Sequence, residues 1–217
     1  MERVQRNAGT AGIVAGVLLI VLFFLFMSLR ITNAQFADPG FMVPLLTKDP
    51  GMFRNLGIAG ALVAGFAVIF TVGLAYRLRE KAPTRALAQL YLAVLGLGAH
   101  AADSMVTWIG IRTVGLAAAK DAVAAGPAYI AVSGVSASLY AMANAFTGAS
   151  LLVAAWAVVS TGALRPLLGW VAVVAGVLNL GLALGAEGDL FFVGSLLFTV
   201  IWLIWAGLEL RRAPMMK

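Results

Sequence analysis

His100 and Asp103 are the residues whose types and spacing could carry chemistry. His100 is the chain's one histidine, and Asp103 follows it three positions later inside an otherwise apolar stretch. On a helix that spacing puts the two side chains on one face, and Ser104 and Thr107 extend the same stripe. An imidazole can exchange a proton near physiological pH. Inside a bilayer an ionisable side chain costs about 2.5 to 3.5 kcal/mol to insert, which makes it a functional hypothesis by default. The competing reading is a polar contact between helices, worth about 0.6 kcal/mol on average.

Possible partners for this stripe sit in later apolar segments. Tyr140, Asn144 and Thr147 share one helical face, Asn179 stands by itself, and Ser195 and Thr199 share another face. If they converge, a polar pocket at mid-bilayer is expected, suited to a proton or a small polar solute. A metal centre is not expected, because one His and one carboxylate supply too few ligands and no His-Glu-x-x-His motif completes them. No phosphate loop or Gly-x-Ser-x-Gly elbow occurs, and no set of nucleophile, base and oxyanion donor can be assembled. Lys48, Lys81, Lys120 and Lys217 all fall outside the apolar windows, which argues against a retinal Schiff base. The sequence therefore leans away from an enzyme and implies no cofactor.

The elements that must position these residues follow from composition. Of 217 residues 62% are hydrophobic and 11% charged, too little polar surface for a water-soluble fold of this size. Six apolar windows, at about residues 8–29, 56–76, 90–112, 138–160, 167–186 and 190–210, are each long enough to cross a bilayer. The expected fold is all-α, a single domain made of a six-transmembrane-helix bundle. Apolar residues run nearly unbroken from 127 to 164, which suggests a short outer helix ending near Gly134 before the fourth span. The run from Ala11 to Leu29 exceeds the apolar core of a secretory signal, so it is read as an uncleaved first span.

Charge assigns sides. The net charge of +6 would suggest nucleic acid in a soluble protein, but here the cations flank apolar windows and read as topology signals. Arg3, Arg6, Arg77, Arg79, Lys81, Arg85, Arg165, Arg211, Arg212 and Lys217 fall on one side, against Arg30, Lys48, Arg54, Arg112 and Lys120 on the other. The bias predicts both termini in the cytoplasm. The long connection at residues 31–55 carries two Asp-Pro-Gly turns, at Asp38 and Asp49, around an apolar piece expected to dip into the interface or to cover the bundle. Trp108, Trp156, Trp170, Trp202 and Trp205 are expected as interfacial anchors. The pairs Gly12/Gly16, Ala61/Gly65 and Gly181/Gly185 are expected as helix-packing faces. With no cysteine there are no disulfides and no thiolate chemistry.

The segment Gly162-Ala163-Leu164-Arg165-Pro166-Leu167-Leu168-Gly169-Trp170, followed by Gly176, resembles a large family of bacterial six-span membrane proteins known as a domain of unknown function. Ala11-Gly12-Ile13 after Arg3 and Arg6, and Ile201-Trp202-Leu203-Ile204 with Gly207, are similar to that family's first and last spans. The resemblance implies six helices and a bacterial inner membrane, with no substrate or catalytic residue to carry over. The Asp-Pro-Gly loop and the stripe of His100 and Asp103 depart from it. From the sequence, the leading expectation is a non-enzymatic accessory or structural subunit acting through protein or lipid contacts. The alternative is a small transporter, channel or sensor using the stripe. The partners expected are the bilayer and proteins of a membrane complex, with no nucleic acid.

Overall fold

The structure, a computed structural model, describes residues 2–186 and 189–212. Nine α-helices follow in chain order among these residues: α1 (Glu2–Ser28), α2 (Asn33–Ala37), α3 (Pro39–Lys48), α4 (Arg54–Arg79), α5 (Pro83–Met105), α6 (Ile111–Ala118), α7 (Ala122–Thr161), α8 (Pro166–Ala183) and α9 (Asp189–Arg212). A π turn, Val106–Gly110, joins α5 to α6 without a break in the helical path. Six helices are long and apolar enough to cross a membrane, with α5 through α6 counted as one. The protein is an all-α, multi-pass membrane bundle.

Local chemistry sets the helix ends. Pro83 and Pro166 occupy first helical positions, where the missing N–H has no intrahelical partner to lose. Asp121 caps α7 by accepting from the backbone N–H groups of Val123 and Ala124, at 3.0 and 3.1 Å. Gly162 ends α7 in the left-handed conformation, φ 61°, which a glycine adopts without steric cost.

The spans form a closed ring in which each packs on its neighbours: α1 on α4, α4 on α5, α5 on α7, α7 on α8, α8 on α9, and α9 back on α1. Phe70, Leu74 and Leu78 of α4, Leu168 of α8 and Trp202 and Leu210 of α9 belong to the main core. Trp202 is thus a core residue and not an interfacial anchor, whereas Trp156 and Trp170 face outward, each 60% exposed. Helices α1 and α9 cross antiparallel, so the chain's described ends share one face, here the terminal face; the opposite one is the distal face.

On the distal side, the expected break near Gly134 does not occur: α7 is one helix of 40 residues, about 60 Å long against a hydrocarbon layer of about 30 Å. One glycine weakens a helix by about 1 kcal/mol, too little to end it. The third span also runs longer than its predicted window, from Pro83 to Ala118. The excess length has a partner. Met42, Val43 and Leu46 of α3 bury against Ile111, Val114 and Ala118 of α6 and Ala125 and Tyr129 of α7, forming a second core. The Tyr129 hydroxyl donates to the Phe36 carbonyl at 2.6 Å, tying α2 down. The first Asp-Pro-Gly is a helix start, Asp38 capping α3 through Gly40 N–H at 2.8 Å; the second remains a turn. The apolar piece between them therefore covers the distal end of the bundle.

Candidate functional site

The polar side chains of the spans gather where α5 meets α7. The residues of α5 and of the π turn that face α7 repeat at heptad-like spacing, Gln89, Gly96, His100, Asp103 and Thr107, and α7 answers with Ser150, Thr147, Ala143, Tyr140 and Ser136. Spacings of three and four residues keep a nearly constant face toward a neighbour crossing at a shallow angle. The helices run in opposite directions, so Gln89 meets Ser150 near the terminal end and Thr107 meets Ser136 near the distal end.

At the centre of the seam the His100 and Tyr140 rings sit edge to face, with centroids 6.2 Å apart. One turn further, the Ser136 hydroxyl donates to the Asp103 carboxylate, and the Thr107 and Ser136 hydroxyl oxygens lie 3.3 Å apart. His100 and Asp103 are thus each engaged by α7. Toward the terminal face the Ser150 hydroxyl donates to the Gln89 carbonyl at 3.0 Å, and the Gln89 amide reaches back to Ser150 Oγ at 3.4 Å. Between these groups Gly96 lets α7 approach so closely that a Cβ there would lie 2.7 Å from the Thr147 backbone nitrogen. Gln89 Oε1 and Thr147 Oγ1 are buried without a hydrogen-bond partner. An unpaired polar atom in a low-dielectric interior is unfavourable by about 1 to 3 kcal/mol.

The other residues singled out by sequence go elsewhere. Ser104 turns toward α4, where its hydroxyl packs on Gly60. Asn144 is buried but donates to the Tyr140 carbonyl of its own helix at 2.8 Å. Asn179 donates to the Ala175 carbonyl at 2.7 Å and to Thr199 Oγ1 at 3.3 Å, a small polar contact between α8 and α9. Ser195 bonds the Phe192 carbonyl. The expected single pocket is therefore two separate interfaces: α5 with α7 holds His100, Asp103, Thr107 and Tyr140, and α8 with α9 holds Asn179 and Thr199. No group of three or more His, Cys, Asp or Glu side chains able to hold a metal occurs among the described residues.

Sequence reading missed Ser136, Gln89 and Ser150. The signal for them was the seven-residue repeat Gln89, Gly96, Asp103 and its counterpart Ser136, Ala143, Ser150.

Of the three small-residue pairs, Gly12/Gly16 packs as expected, whereas Gly65 and Gly185 meet nothing within 4 Å. Gly12 and Gly16 pack within the bundle against Phe70 and Ile204, and Gly181 packs on Phe191. Gly65 faces open space, and the packing face of α4 is instead Gly57, Gly60 and Gly73, set against Trp108, Ser104 and Ala8.

Fold and seam together define a class: a multi-pass helical membrane protein with one concentrated polar interface between two of its spans. No protein-family model, curated protein or solved structure matches the chain.

Proposed function

We propose that the protein is a non-enzymatic, proton-responsive membrane protein, a sensor or carrier, whose working element is the α5–α7 seam. The observation that carries this reading is the file of polar side chains from Gln89 to Thr107, with His100 and Asp103 among them and two buried oxygens left unpaired. A seam selected only to hold two helices together would favour complete pairing or apolar contact, because a half-satisfied network is less stable than either. A histidine and a carboxylate within such a file are the groups that can take up and release protons.

The test is reconstitution into vesicles loaded with a pH-sensitive dye. His100→Ala and Asp103→Asn are expected to alter the pH response while helicity and folded yield stay at the wild-type level. Asn179→Ala, in the other polar interface, should leave the response unchanged. A response unaffected by either seam variant, or seam variants that only lose folded protein, would return the seam to a packing role.

A second reading, an accessory subunit acting through contacts, draws on the distal lobe. The lobe exposes apolar side chains, with Val123 88% exposed and Leu116 and Ile130 also open. Extraction in mild detergent followed by mass spectrometry tests it: a stoichiometric companion supports the reading, and migration alone removes it.

For orientation we propose cytoplasmic termini in a bacterial inner membrane, on the twofold excess of cations that the sequence assigns to the side of the termini and on the family resemblance. A reporter fused to the C-terminus that reads periplasm would overturn this.

A further inference from the structure

Where α5 begins and α7 ends, on the terminal face, two cations are held in place by neutral groups. The Arg85 guanidinium lies over the Trp156 ring, 3.9 Å from its centroid, and donates to Ser160 Oγ. The Lys81 ammonium donates to the Thr161 carbonyl at 3.2 Å, at the negative end of the α7 dipole. A guanidinium has five N–H donors and an ammonium three, so these contacts leave most donors of both groups free. Of the acids described on this face, Glu209 pairs with Arg165 at 2.9 Å and the Glu80 carboxylate lies 4.0 Å from Arg77, so neither forms an ion pair with Lys81 or Arg85. Trp156 itself is 60% exposed on the outside of the ring, at the depth of a span end, where an aromatic ring meets both headgroups and acyl chains.

We propose that Lys81, Arg85 and Trp156 form a seat for an anionic phospholipid. The two cations hold the headgroup phosphate and the outward face of the indole flanks the upper acyl chain. The occupant follows from the site's two halves: fixed positive charge with unused donors, directly above a lipid-exposed aromatic surface. A protein partner would need acids paired to both cations and an apolar element laid along the span, whereas one lipid supplies both.

The experiment uses the full chain reconstituted in phosphatidylcholine with a small fraction of chain-brominated phosphatidylglycerol, or of chain-brominated phosphatidylcholine as reference. Tryptophan quenching should be greater with the brominated anionic lipid, and Trp156→Phe should remove that excess. Lys81→Gln combined with Arg85→Gln should lower the enrichment by roughly tenfold or more, each cation near an anionic surface being worth about a fivefold factor. Arg85→Lys, which keeps the charge, should retain most of it.

Equal quenching by the two lipids overturns the proposal. So does an excess that survives in Trp156→Phe or in the double variant. Loss of the excess on adding inorganic phosphate at constant ionic strength would also overturn it, by making the site one for a free anion. If the double variant fails to fold, Trp156→Phe and Arg85→Lys decide by themselves.

Discussion

Two interfaces of the ring solve the same packing problem in opposite ways. Where α1 meets α9, glycines bring the backbones into contact: a Cβ on Gly207 would lie 2.6 Å from the Gly9 carbonyl oxygen, and one on Gly9 would lie 2.5 Å from that of Gly207. Gly12 continues the face under Phe70 and the Leu203 carbonyl, and Gly16 lies under Ile204. Where α5 meets α7, a single glycine, Gly96, makes the close approach, and the rest of the face is amide, hydroxyl, imidazole and carboxylate. In lipid, helix association draws on close packing and on hydrogen bonds between helices, since lipid tails are as apolar as leucine. The first seam relies on packing alone. The second accepts polar groups that packing does not require, which is why function is sought there.

The comparison is broken most severely at the glycine seam. Gly207→Leu is expected to abolish folded protein, since the side chain must displace the α1 backbone and nothing nearby can move aside cheaply. Gly207→Ala is the milder form, with an expected loss of about 1 to 3 kcal/mol from overpacking. Thermal unfolding of detergent-solubilised protein, followed by size-exclusion chromatography, checks both. A wild-type melting profile for Gly207→Ala would mean that α1 and α9 do not close the ring as described.

At the polar seam smaller losses are expected. Asp103→Ala removes the acceptor of the Ser136 hydroxyl, and Ser136→Ala removes the donor; hydrogen bonds between membrane helices average about 0.6 kcal/mol and reach about 1.7. The double variant should lose less than the sum of the two single losses, because the pair is one interaction. Fully additive losses in the same unfolding assay would dissociate Asp103 from Ser136.

These residues also show how far the sequence could be read. The six spans were legible because hydrocarbon demands long apolar runs, and His100 with Asp103 stood out as a titratable pair on one face. What lay on the other side of that face was not legible. Ser136 fell just outside the predicted fourth span, because an over-long apolar run was divided near Gly134, whereas α3 covers the extra turns and lets α7 continue. Ser104 was grouped with Asp103, yet consecutive helical residues point about 100° apart, and that angle divides α7 from α4. The π turn at Val106–Gly110 adds a further shift of phase beyond Asp103 that a strict helical period does not contain. Spacing within one helix gives a face; only the order of helices around the ring says what that face meets.

The smallest effect sharpens the same point. Ala61 and Gly65 match the small-residue pattern as well as Gly12 and Gly16 do, but a Cβ on Gly65 would meet nothing within 4 Å. If close packing and not glycine content explains the α1–α9 seam, Gly65→Ala should be harmless. It should even stabilise α4 slightly, by up to about 1 kcal/mol, because alanine restricts the unfolded chain and favours the helix. The same unfolding assay reads it beside Gly207→Ala, and the two substitutions should move the midpoint in opposite directions. A loss at Gly65 comparable with that at Gly207 would mean that the open face of α4 is covered by another chain in the membrane, and measuring molecular mass in detergent would then show an oligomer.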